Sequence, residues 1–148
     1  MSIYIHKSHN VSVLLYHIVC PAKYRAAIIS NEVDIKIKDI CLEIAKRYEI
    51  HFLEIGTDED HVHFFVQSVP TYSPTKIVRT IKSITAREIF RTMPEVKKEL
   101  WGGEFWTDGY YIATVGKHSS EGTIRRYVKK QNKSATYKRL HHEQLTLF

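Results

Sequence analysis

Two histidines, His61 and His63, sit on an apolar run that reads Asp60-His61-Val62-His63-Phe64-Phe65-Val66. In a strand, side chains alternate between faces, so residues two apart point the same way. Both imidazoles then share one face, close enough to hold one ion, while Val62, Phe64 and Val66 fill the other. Such a pair leaves coordination positions open. An ion held there can polarise a phosphoryl oxygen and orient a substrate. The plainer alternative is two half-buried histidines on a sheet face.

A second polar pair lies in Arg125-Arg126-Tyr127-Val128-Lys129-Lys130-Gln131. At 100° per residue, Tyr127 and Gln131 stand about 40° apart on a helix and project to one side. Ile124 and Val128 border that side, and Arg125, Arg126, Lys129 and Lys130 occupy the rest. Either Tyr127 is a core tyrosine with Gln131 bonded to its surroundings, or Tyr127 is a nucleophile and the Gln131 amide oxygen is a third metal ligand. Spacing alone does not choose between them.

These residues must be carried on a folded frame. At 148 residues the chain reads as a single domain, 1–148, with a core over about 9–132 and a basic tail over about 133–148. Only Cys20 and Cys41 are present, which argues against a disulfide framework and for a reducing compartment. Val11–Cys20 is too short to span a bilayer and contains His17, so it reads as a buried strand and the protein as cytoplasmic, with no membrane partner. Residues 1–116 carry 14 basic and 14 acidic side chains; from Lys117 onward eight Lys and Arg face two Glu, which supplies the whole net charge of +6. A basic C-terminal segment is what a phosphate backbone attracts, although a solvated helix and tail would look the same.

Strand and helix periods alternate along the chain. Val11–Cys20 predicts a first strand, about Glu32–Tyr48 an amphipathic helix, His51–Ile55 a second strand, 56–60 a turn and His61–Gln67 a third strand. Ser73 and Pro74 start a second helix reaching Phe90. Its polar face holds Lys76, Arg79, Lys82 and Arg87, candidates for DNA phosphate contacts together with Arg125, Lys129 and Lys130. A helical turn at Pro94–Leu100, a break at Trp101-Gly102-Gly103 and a strand at Tyr110–Val115 follow. Ser119 or Ser120 would cap a last helix reaching about Gln131. The order β-α-β-β-α-β predicts an α+β, ferredoxin-like antiparallel sheet, with helices on one face, the other face free, and an extra C-terminal helix carrying the tyrosine.

Asp60-His61-Val62-His63, ahead of a single helical tyrosine with glutamine four residues on, resembles the HUH motif of the single-tyrosine transposases of small insertion sequences, the IS-two-hundred-like group. His9-Asn10-Val11, Cys20-Pro21, Lys23-Tyr24-Arg25, Trp106-Thr107 and Thr114-Val115-Gly116 look like further family landmarks, and Ala22 is inserted where members commonly join Pro directly to Lys. The resemblance implies that His61, His63 and Gln131 hold Mg2+ or Mn2+. It implies that Tyr127 attacks a DNA phosphodiester, leaving a 5′-phosphotyrosine link and a free 3′-hydroxyl. It further implies single-stranded DNA with hairpins at element ends as substrate, and a homodimer with a composite active site. Two other functions fit the residues: a domesticated palindrome-processing relative or rolling-circle replication initiator, and a non-catalytic single-strand binding module stacking bases on Tyr16, Phe65 and Tyr111.

Overall fold

A computed structural model of the chain describes residues 5–6, 11–12 and 14–116. Tyr127, Gln131, Arg125, Lys129, Lys130 and the expected last helix lie outside the described residues.

The first expected strand is divided in two. β1 (Ile5–His6) pairs with β2 (Val11–Ser12) as a small antiparallel ribbon, and β3 (Leu14–Pro21) enters the main sheet. A 3-10 turn at Lys23–Arg25 leads to α1 (Asn31–Arg47), followed by β4 (His51–Thr57), β5 (His61–Ser68), α2 (Pro74–Thr92), α3 (Pro94–Glu99) and β6 (Tyr111–Thr114). The main sheet is antiparallel throughout, in the order β4-β5-β3-β6. The crossovers β3-α1-β4 and β5-α2-β6 each skip one strand, which is the interlocked split βαβ arrangement expected of a ferredoxin-like fold.

The two long helices, α1 and α2, begin where the sequence provides a cap. The Ser30 hydroxyl accepts from the Val33 N–H, and the Ser73 hydroxyl accepts from the Lys76 N–H with Pro74 at the first helical position. Val33, Ile37, Ile40, Cys41 and Ile44 of α1 and Ile77, Val78, Ile81 and Ile89 of α2 are buried against Tyr16, Ile18, Cys20, Ile55, Val62, Phe64 and Val66 of the sheet. Thr85 is buried with them, donating its hydroxyl to the Ile81 carbonyl and accepting the Trp106 indole N–H at 2.9 Å.

Two expectations are corrected. Gly56 and Thr57 extend β4 rather than opening a turn, because they pair with His63 and Val62. Thr57 also donates to Asp34 at 2.8 Å, and Asp34 forms a fully buried ion pair with Lys38 at 3.1 Å, which ties α1 to the hairpin. The sheet face away from the helices is not free: Leu15, Leu53, Phe65 and Val115 form a second buried cluster there. Large apolar side chains at alternate strand positions gain by leaving water on either face. Tyr16 and Phe65 are core residues, so of the three aromatics considered for base stacking only Tyr111 is exposed.

Candidate active site

β5 presents His61 and His63 on the sheet face opposite the helices, with Val62 and Phe64 turned into the main core. In the ladder His61 faces Pro21, and His63 faces Val19 on one side and Gly56 on the other. Gly56 puts no side chain beside His63, a use of glycine within strands where something must approach closely. The two rings meet edge to face, with centroids 5.0 Å apart.

Each imidazole is held at its Nδ1. Asp60 accepts a hydrogen bond from His61 Nδ1 at 2.7 Å, and its other oxygen accepts from Arg25 Nε at 3.2 Å. These bonds, the one from His61 first and then the Arg25 charge, hold the Asp60 carboxyl below its ordinary value. His63 Nδ1 shares a 3.0 Å hydrogen bond with His17 Nε2, and the rings lie nearly parallel. A hydrogen bond at one ring nitrogen is how an outer partner orients a metal-binding histidine and sets its tautomer.

His63 is 4% exposed. Burial first, then the neighbouring His17 and His61, push its pKa down to about 4. It is therefore neutral near pH 7, the form in which an imidazole can serve as a ligand. Burial also lowers the pKa of His17.

The fold brings in two residues that sequence reasoning did not place at this site. His17 lies diagonally across the ladder from His63, since it pairs with Phe65 while His63 pairs with Val19. Strand alternation put His17 on one of two faces, but only the register shows which neighbour it meets. Arg25 reaches Asp60 because Ala22 continues beside β5 and the loop: its N–H donates to the Asp60 carbonyl, and it bridges to Trp106.

The basic residues of α2 are not brought to the imidazoles. They stand on the helical layer, with the sheet between. Arg79 and Lys82 line a cleft of about 470 Å³ formed with Phe105, Trp106 and Tyr110. The Lys82 ammonium donates to the Thr107 and Asp108 carbonyls at 2.8 and 3.3 Å, so it anchors the loop. Lys76 covers the Tyr72 ring, and Arg87 lies 3.7 Å from Glu88. Arg79 is exposed and lines the cleft.

Two imidazoles suit a divalent cation, but among the described residues no group of three or more His, Cys, Asp or Glu could hold one. Magnesium and manganese prefer oxygen donors. The histidine pair fits such an ion only if oxygens from elsewhere complete its shell. Among the described residues no helix is long and apolar enough to cross a membrane.

The family model described as "Transposase IS200 like" matches residues 10–131. The chain is 31% identical to the ISDra2 transposase TnpA of Deinococcus radiodurans, over 80% of this chain and 84% of that one. It is 28% identical to the transposase for insertion sequence element IS200 of Salmonella typhimurium, over 78% of this chain and 75% of that one. A crystal structure of a Deinococcus radiodurans R1 protein assigned as a transposase superposes with a TM-score of 0.69 at 28% identity, covering 88% of this chain and 99% of its own. A REP-associated tyrosine transposase bound to a REP hairpin shares the fold at 9% identity, with a TM-score of 0.54 over 88% of this chain and 70% of that one. The chain belongs to the family of IS200-like transposases.

Proposed function

We propose that this transposase cuts and rejoins single-stranded DNA by transesterification at Tyr127, in the excision and insertion of an insertion sequence. The observation that carries the reading is the paired presentation of His61 and His63 on one sheet face, their rings 5.0 Å apart and each engaged at Nδ1 by an outer partner. Gln131 would add its amide oxygen, and the DNA phosphate would supply the remaining oxygens. A bound Mg2+ or Mn2+ would supply positive charge to the phosphoryl oxygen as charge builds there.

The Tyr127 oxygen attacks phosphorus, so an O–P bond to the tyrosine forms while the P–O3′ bond breaks. The phenol proton passes to water and the leaving 3′-oxygen takes one up, giving a 5′-phosphotyrosine and a 3′-hydroxyl. One phosphoester replaces another, and a later 3′-hydroxyl can reverse the step without a nucleoside triphosphate. His17, Asp60 and Arg25 keep the two imidazoles in the required tautomers. Arg79 and the basic segment that includes Arg125, Lys129 and Lys130 would neutralise backbone phosphates outside the reacting centre. The REP-hairpin complex of a protein with this fold makes hairpin-bearing single strands the substrate to try. A homodimer in which one subunit's Tyr127 serves the other's histidines completes the proposal.

The test is nicking of labelled single strands that carry the genomic flanks of the element. Tyr127→Phe should abolish cleavage and the covalent adduct while leaving DNA affinity intact. Undiminished cleavage by that variant would remove Tyr127 as nucleophile.

A further inference from the structure

Beside Arg25, which binds the Asp60 carboxylate that also holds His61, lies an aromatic pair whose exposure is costly to the chain. Trp101 is 85% exposed and Tyr24 is 64% exposed, yet their rings lie together with centroids 6.0 Å apart. Single exposed aromatics are ordinary; two that meet in water from chain positions 77 residues apart are less so.

The backbone beneath them is unusual in the same place. Among the described residues, the non-glycine positions with left-handed φ are Tyr24 (60°), Arg25 (51°) and Trp101 (52°). All three belong to this one spot. Left-handed backbone disfavours a β-carbon, and such strain collects where function requires it.

Trp101 stands just past the end of α3, where its N–H donates to the Lys98 carbonyl and the Gly102 N–H to the Lys97 carbonyl. This is the Schellman ending, in which the residue after the cap is usually glycine. Here a tryptophan takes that position, and the glycine comes one residue later. The turn at Tyr24 is closed by bonds from Arg25 N–H to the Ala22 carbonyl and from Ala26 N–H to the Lys23 carbonyl.

The surroundings indicate what the rings would meet. Lys23 lies over the Tyr24 ring at 5.6 Å, and Arg25, next in the chain, binds the same Asp60 that holds His61. Lys23 also pairs with Glu104 at 3.7 Å, so the aromatic surface carries ion-paired cations at its edge and is joined to His61 through Arg25 and Asp60. A flat apolar ring beside cations matches an unpaired nucleobase with its phosphate.

We propose that Tyr24 and Trp101 form a stacking platform for an unpaired base of the DNA single strand that runs into the histidine site; this rests on the DNA function proposed above. It differs from sheet-face stacking, since Tyr16 and Phe65 are buried.

The experiment is a titration of the full-length chain with oligothymidylate, followed by tryptophan fluorescence and by anisotropy of a labelled strand. Because Trp106 is buried, quenching reports on Trp101. Trp101→Ala should lose the quenching and weaken the oligothymidylate complex by roughly fivefold or more. Trp101→Phe should keep most of the affinity. Tyr24→Gly, which suits a left-handed position and removes only the ring, should weaken binding likewise. The salt dependence should stay as in the wild type, since no phosphate contact is lost. Wild-type affinity in Trp101→Ala, with strand cleavage retained, would overturn the platform alone. So would a Trp101→Ala chain whose sedimentation shows a lost self-association, which would make the rings a protein contact. Failure of the wild type to bind or cut any single strand would overturn both the platform and the DNA function.

Discussion

The two faces of the central sheet are built from the same strands by opposite rules. On one, Val62, Phe64 and Val66 are fully withdrawn from water beneath two helices and contribute shape alone. On the other, the alternating residues include His61 and His63, flanked by a small apolar cluster around Phe65. Desolvation acts on both faces in the same sense, against charge. It raises the Cys20 thiol to about 12 under the helices and lowers His63 to about 4 on the far side. Under the helices that only silences a thiol. On the other face it keeps an imidazole neutral and able to bind a cation. Strand alternation therefore lets a stable core and a chemical site share one backbone.

The comparison breaks first at Phe64. Phe64→Ala should cost about 3–5 kcal/mol in chemical unfolding, because a fully buried ring leaves a cavity under α1 and α2. His61→Ala should change stability far less while removing metal-dependent cleavage. Equal losses of stability from the two substitutions would show that both faces are structural.

The next effect concerns the outer partners of the imidazoles. Asp60→Asn should weaken divalent-metal binding about 10- to 100-fold by calorimetry, since the carboxylate that fixes His61 Nδ1 is lost. Metal affinity equal to that of the wild type would mean that Asp60 serves only the turn.

A third effect is graded by pH in the metal-free chain. Folded His63 has its pKa depressed from 6.5 to about 4, so between those values the unfolded state binds more protons. Its stabilising contribution is complete above about pH 6.5 and is lost as pH falls toward 4. The steepest slope is about 1.4 kcal/mol per pH unit for one proton. His17 and His51, both lowered by burial, act in the same direction. His63→Gln should flatten the acid limb of a plot of melting temperature against pH. An unchanged limb would place the titration elsewhere.

Much of this arrangement is legible in local pattern. The period of two at His61–Gln67 and the period near 3.6 in both helices follow from side-chain direction, and Ser30 and Ser73 cap by local chemistry. Gly56 and Thr57, followed by three acidic residues, read locally as a turn, whereas their strand pairing comes from β5. Lys82 reads as a free cation on a polar helix face. Its commitment to the Thr107 and Asp108 carbonyls depends on a loop 25 residues away.

The sequence by itself determined the β-α-β-β-α-β order of the main sheet and its helices, the apolar stripes and the shared face of His61 and His63, because these depend on backbone periods and neighbouring residues. Only the tertiary structure decided that His17 meets His63, that Arg25 reaches Asp60 and that Tyr24 meets Trp101. Those contacts join residues 46, 35 and 77 positions apart. Strand register and the path of the connections set them, and neither is encoded in the spacing of any one segment.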